Sequence, residues 1–126
     1  MSWKNTPEAL GAYARESMSV TWGKLRIAYP MIQTDTPKII FNKRLKTTAG
    51  RAFVESKPQY IDLSNELLWQ HPEEFYNVII PHEAAHLAAY TRYADSGHGK
   101  GWKLIMSYLG LPSDRCHTLA NANWKR

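Results

Sequence analysis

PHEAAHLAAYTRYADSGHGKGW, Pro81 to Trp102, sets two histidines four residues apart around a glutamate and brings a third between two glycines a dozen residues later. On a helix, residues four apart project from one face, so the imidazoles of His82 and His86 can reach a common ion while Glu83 lies beside that face. The surrounding run VIIPHEAAHLAAY is small and apolar. Charge is costly there without a partner, and a metal supplies one. His-Glu-x-x-His on a helix is the pattern in which the histidines ligate zinc and the glutamate acts as general base toward a zinc-activated water.

Catalytic zinc takes three protein ligands and keeps one position open. The candidates for the third are His98, Asp95, Asp114, Cys116 and His117. His98 is the first choice, because glycines on both sides let the chain fold it back over the ion. Known zincin patterns narrow the field. Metzincins need a glycine and a histidine where Ala89 and Arg92 stand, thermolysin-like enzymes need a glutamate beyond Glu83, and peptide deformylases place a ligating cysteine upstream, whereas Cys116 lies downstream.

Outward from this segment, Phe75, Val78, Ile79, His82, Ala85, His86, Ala89 and Tyr90 recur at helical period, which predicts one helix from Pro72 to about Tyr93. His71 reads as a helix-entry residue. ADSGHG breaks the pattern, and Trp102, Ile105, Met106 and Leu109 mark a second amphipathic helix ending at Gly110. At the other end Thr6, Pro7 and Glu8 read as cap, first-turn proline and dipole-matching acid of a helix reaching about Gly23. Between them KIIFN, GRAFVE and QYIDLS predict three strands, read as an antiparallel meander, and the tail after Leu111 reads as irregular. The class expected is α+β: a small three-stranded antiparallel sheet packed against helices, one of which carries the histidine pair.

A chain of 126 residues with 44% hydrophobic content suits one folded domain, residues 1–126, rather than a disordered segment. One cysteine excludes an internal disulfide and a Cys-rich zinc module. No stretch reaches the roughly 20 apolar residues of a membrane span and the start lacks a signal-peptide core, so a cytoplasmic protein, with nucleoid association open to it, is expected. The net charge of +5 favours acidic partners, DNA first among them. Between Asp35 and Glu55 there is no acid, while Lys38, Lys43, Arg44, Lys46 and Arg51 fall in that window as candidate nucleic-acid contacts.

HEAAHLAAY followed by SGHGKGW resembles the SprT-like metalloprotease domain, whose better-known relatives include the Spartan proteases. PKIIFNKRLKTTAGRAF and YIDLSNELL upstream, and LGLPSDRCHT downstream, extend the resemblance over about Pro37 to Thr118. It implies a zincin-like fold, one zinc per chain held by His82, His86 and His98, Glu83 as acid-base residue, and Trp102 packed under the third ligand. It also implies cleavage of proteins attached to DNA. Many SprT proteins carry a Cys-rich zinc ribbon after the protease domain, so a minimal form without it is expected here.

The expected chemistry is endopeptidase hydrolysis, with Tyr90, Tyr93, Arg115 or His117 as possible helpers in the transition state. An edge strand would hold an extended protein substrate by backbone pairing. The rival readings are a non-catalytic, zinc-braced module that binds DNA or protein, and a zincin-like interaction protein without turnover.

Overall fold

The computed structural model describes residues 7–113, 116–119 and 122–125. Helix α1 (Pro7–Ala28) precedes three strands, β1 (Lys38–Asn42), β2 (Gly50–Phe53) and β3 (Tyr60–Ser64). Two short helices follow, α2 (Asn65–Gln70) and α3 (Pro72–Glu74). A π-helical turn, Phe75–Ile79, then leads into α4 (Ile80–Tyr93), and α5 spans Lys100–Tyr108. The tail read as irregular contains a hairpin, β4 (Cys116–Leu119) against β5 (Ala122–Lys125). The architecture is α+β, as the sequence patterns predict.

Helix α1 buries Leu10, Ala14, Met18, Trp22 and Leu25 along one stripe. The stripe continues past Gly23, the expected end, because Leu25 is wholly buried. A mid-helix glycine costs only about 1 kcal/mol, less than burying a leucine gains. Thr6, the expected cap, lies outside the described residues.

The sheet is not an antiparallel meander. Its strand order is β1-β3-β2, with β3 parallel to β1 and antiparallel to β2. Ile61, Asp62, Leu63 and Ser64 are all buried, whereas every residue of β1 is at least partly exposed, the burial expected of a central strand beside an edge one. Asp62 locks that order from the outer face. Its carboxylate accepts Arg51 Nε at 3.1 Å from β2 and Asn42 Nδ2 at 3.0 Å from β1. Only a central strand lets one carboxylate be satisfied from both neighbours.

Helix α2 went unread as a helix. Ser64, the last residue of β3, accepts the Leu67 N–H at 3.1 Å through its Oγ and starts the turn.

The uninterrupted helix expected over 72–93 contains the wide turn at Phe75–Ile79, and Pro81 explains it. Proline has no N–H to donate and its ring crowds the carbonyl four residues back, so the ladder widens ahead of it. The Ile80 N–H bonds to Phe75 O. The Tyr76 carbonyl accepts instead from Ser17 Oγ of α1 at 2.6 Å.

Every residue of α4 from Ile80 to Ala89 is buried. Its alanines, at 84, 85, 88 and 89, let neighbours approach on all sides, with α1, β2 and α5 packed around it. A helix that is apolar all round belongs at the centre of a domain. Gly101 permits the α5 contact, since a Cβ there would lie 2.6 Å from Tyr93 Cβ.

Candidate metal centre

The first two donors come from α4. His82 and His86 are 0% and 1% exposed, and their Nε2 atoms stand 3.2 Å apart. His98 joins them from the loop after the helix, with its ring centroid 4.7 Å from His86 and 5.5 Å from His82. One nitrogen of each ring lies within 4.8 Å of the others. The three residues can therefore hold a metal ion. Nitrogens bound tetrahedrally at about 2.0–2.1 Å stand roughly 3.3 Å apart, close to the separation found between the two α4 donors.

Trp102 floors the group. Its ring is 5.0 Å from His82, 5.4 Å from His86 and nearly parallel to it, and 4.5 Å from His98 at 85°. The indole is wholly buried, so it fixes ring positions without offering water a route.

The loop carrying His98 is organised by Asp95. Helix α4 stops at Ala94 in the left-handed region (φ 57°), whose N–H bonds to Ala89 O and Tyr90 O. Asp95 Oδ1 then accepts the N–H of Gly97 at 3.0 Å and of Gly99 at 3.3 Å, and Oδ2 accepts that of Trp102 at 3.0 Å. Burial by itself would raise this carboxyl. The N–H groups of Trp102, Gly97 and Gly99, with His86 nearby, outweigh it and hold the group below its ordinary 3.8. Asp95, one of the candidate ligands, is thus turned to the backbone and stands outside the imidazole group. The clue in the sequence was D-x-G, an Asx-turn pattern.

Glu83 is wholly buried on the turn between the two α4 histidines. Strand β2 lies against it. A Cβ on Gly50 would stand 3.3 Å from Glu83 Cγ and 3.1 Å from the Asp62 carbonyl oxygen, so glycine lets the strand close over the acid. Beyond β2, Val54 and Gln59 join Met31, Tyr90 and Thr91 around a cavity of about 550 Å³ at the far end of α4.

Tyr90 lines that cavity, one turn past His86. Tyr93 packs on Gly101 and edge-on to Tyr29. His117 lies in β4, and Arg115 and Asp114 lie outside the described residues. Of the basic window, Arg51 binds Asp62 and Lys46 binds Glu66 at 3.1 Å, while Lys38, Lys43 and Arg44 are exposed.

The SprT-like family model matches residues 13–119. The chain belongs to the SprT-like family. Protein SprT of Salmonella arizonae is 36% identical over 105 residues, covering 82% of this chain and 59% of that protein. Protein SprT of Salmonella newport is 35% identical over 114 residues, covering 89% and 64%. The chain thus spans about three fifths of the length of these curated relatives. No solved structure gives a significant match. Among the described residues, no helix is long and apolar enough to cross a membrane.

Proposed function

We propose that this SprT-like chain is a zinc-dependent endopeptidase. The observation that carries the reading is the convergence of His82, His86 and His98 beside a buried glutamate on the same helix. Three imidazoles and no cysteine form a donor set that suits zinc and leaves a position open. Zinc held there supplies Lewis acidity, lowering the pKa of water to about 7 and polarising a carbonyl. His82 and His86 hold their rings through helix packing, and His98 closes the set from the loop.

Glu83 acts as general base. Its carboxylate takes a proton from the attacking water and delivers it to the amide nitrogen as the C–N bond breaks. Strand β2 forms one edge of the sheet beside Glu83, which supports an extended polypeptide bound by main-chain pairing. Recognition through the main chain favours shape over sequence, so low sequence selectivity follows.

The deciding experiment replaces Glu83 with Gln in zinc-loaded protein. Zinc content and fold are expected to stay, and cleavage of an unfolded protein substrate to fall by about 10²–10⁴-fold. Equal rates for the two proteins would refute the mechanism.

The reading extends to substrates held on DNA, supported by the net charge of +5 and the exposed Lys38, Lys43 and Arg44. Replacing all three with alanine should weaken DNA binding and reduce the salt slope by about 2–3. An unchanged slope would remove these residues from any DNA interface.

A further inference from the structure

We propose that Asp95 is the positioning residue of the metal site, holding His98 over α4 before any metal arrives. The inference rests on the reading of His82, His86 and His98 as a ligand set.

The backbone around His98 is largely exposed. Ala94, Ser96, Gly97, Gly99 and Lys100 are exposed, so the loop gains almost nothing from apolar burial. Glycine on both sides of His98 makes the loop costly to order. The Asp95 carboxylate offsets that cost through the backbone. Asp95 takes the N–H of Gly97 and of Gly99, the residues flanking His98, and so pins the chain on either side of the ligand.

The same carboxylate also starts the next helix. Gly99 is the N-cap residue of α5 and makes no side-chain cap. Asp95 Oδ2 supplies the missing acceptor for the Trp102 N–H, in the helix's first turn. Trp102 is the residue on whose indole the His98 ring rests, at 4.5 Å. One side chain therefore engages the backbone beside the ligand, at the floor residue and at the helix start.

The backbone of Asp95 is in turn fixed to the helix of the other donors. The Asp95 N–H bonds to Ala89 O of α4 at 3.3 Å. The fit leaves no slack, because a Cβ on Gly99 would lie 2.9 Å from Asp95 Oδ2. Asparagine keeps one acceptor oxygen and loses the other. Alanine loses both.

The experiment measures zinc affinity, by competition with a chromophoric chelator, for wild type, Asp95→Asn, Asp95→Ala, His98→Ala and the Asp95→Ala/His98→Ala double variant. Asp95→Ala is expected to weaken zinc binding by about 10–100-fold, the usual cost of removing an outer partner of a metal ligand. Asp95→Asn should fall between. In the His98→Ala background the Asp95→Ala change should add little, since the ligand it positions is already gone. Cobalt-loaded Asp95→Ala should show visible absorption shifted toward that of His98→Ala, which a merely structural role would not produce. Wild-type affinity in Asp95→Ala, or an undiminished effect in the His98→Ala background, overturns the inference.

A second readout needs no metal. In metal-free protein, Asp95→Ala should lose hydrogen-exchange protection at Gly97, Gly99 and Trp102 while α4 keeps its own. Unchanged protection at those three amides overturns the clamp. If wild type takes up no zinc, the ligand reading fails and the ligand-positioning claim falls with it.

Discussion

Helix α4 and the loop from Ala94 to Gly99 deliver donors to the same point by opposite physical means. The α4 pair is held by burial, with ten consecutive residues from Ile80 to Ala89 enclosed. The backbone flanking the loop donor is held by polar contacts to one carboxylate, with solvent on most of its neighbours. Burial ties a residue to the global stability of the fold, whereas a hydrogen-bonded surface loop can open alone. The site thus joins a part that moves only when the protein unfolds to one that can come and go.

The widest contrast should appear in native-state hydrogen exchange. Amides of Ala85 to Ala89 should exchange only through global unfolding, and those of Gly97 and Gly99 several orders of magnitude faster through local opening. Equal protection would erase the distinction between the two regions. Next in size is Trp102→Ala, which strips the floor from both. It should cost about 3–5 kcal/mol in urea unfolding, and a cost below about 1 kcal/mol would show that the indole is not part of the core. Gly101→Ala acts on the junction alone, forcing a methyl against the Tyr93 ring. About 1–3 kcal/mol is expected.

Smaller still is the response to acid. The folded Asp95 carboxyl titrates below its ordinary value of 3.8. Its stabilisation is therefore complete above the unfolded value and is lost as pH falls through the lower folded one. Loop amide shifts, followed by NMR, should be flat above about pH 5 and change only below about pH 4. Shifts that stay flat through acidification would assign the clamp to another group. Lys46→Ala, far from both regions and paired with Glu66 at the surface, should shift stability by less than about 1 kcal/mol.

The part of the site resting on periodicity could be read directly from the chain. His82, Glu83 and His86 follow from helical spacing, and His98 from its glycines, because these are local properties. The strand order could not be read the same way. KIIFN and QYIDLS look alike as strands, and what puts β3 between its neighbours is the joint demand of Asp62 on Arg51 and Asn42, a pairing across the sheet that no window of sequence contains. Asp95 was visible as an acid near the histidines and was read as a ligand candidate. Its partners are backbone amides, which the D-x-G spacing signals and residue type alone does not. Arg51 and Lys46 belong to the basic window offered as nucleic-acid contacts, and what the window does not display is their pairing with Asp62 and the exposed Glu66, 11 and 20 residues away.

Pro81 sits immediately before His82, and the wide turn it imposes decouples the pitch of the histidine pair from everything upstream. Within α4 the two rings keep their relative bearing whatever happens earlier. Their common aim, however, depends on residue 81. A residue with a backbone N–H there would allow the ladder to re-register, swinging both imidazoles together by up to about 100° per residue of slip, away from the loop that waits for them.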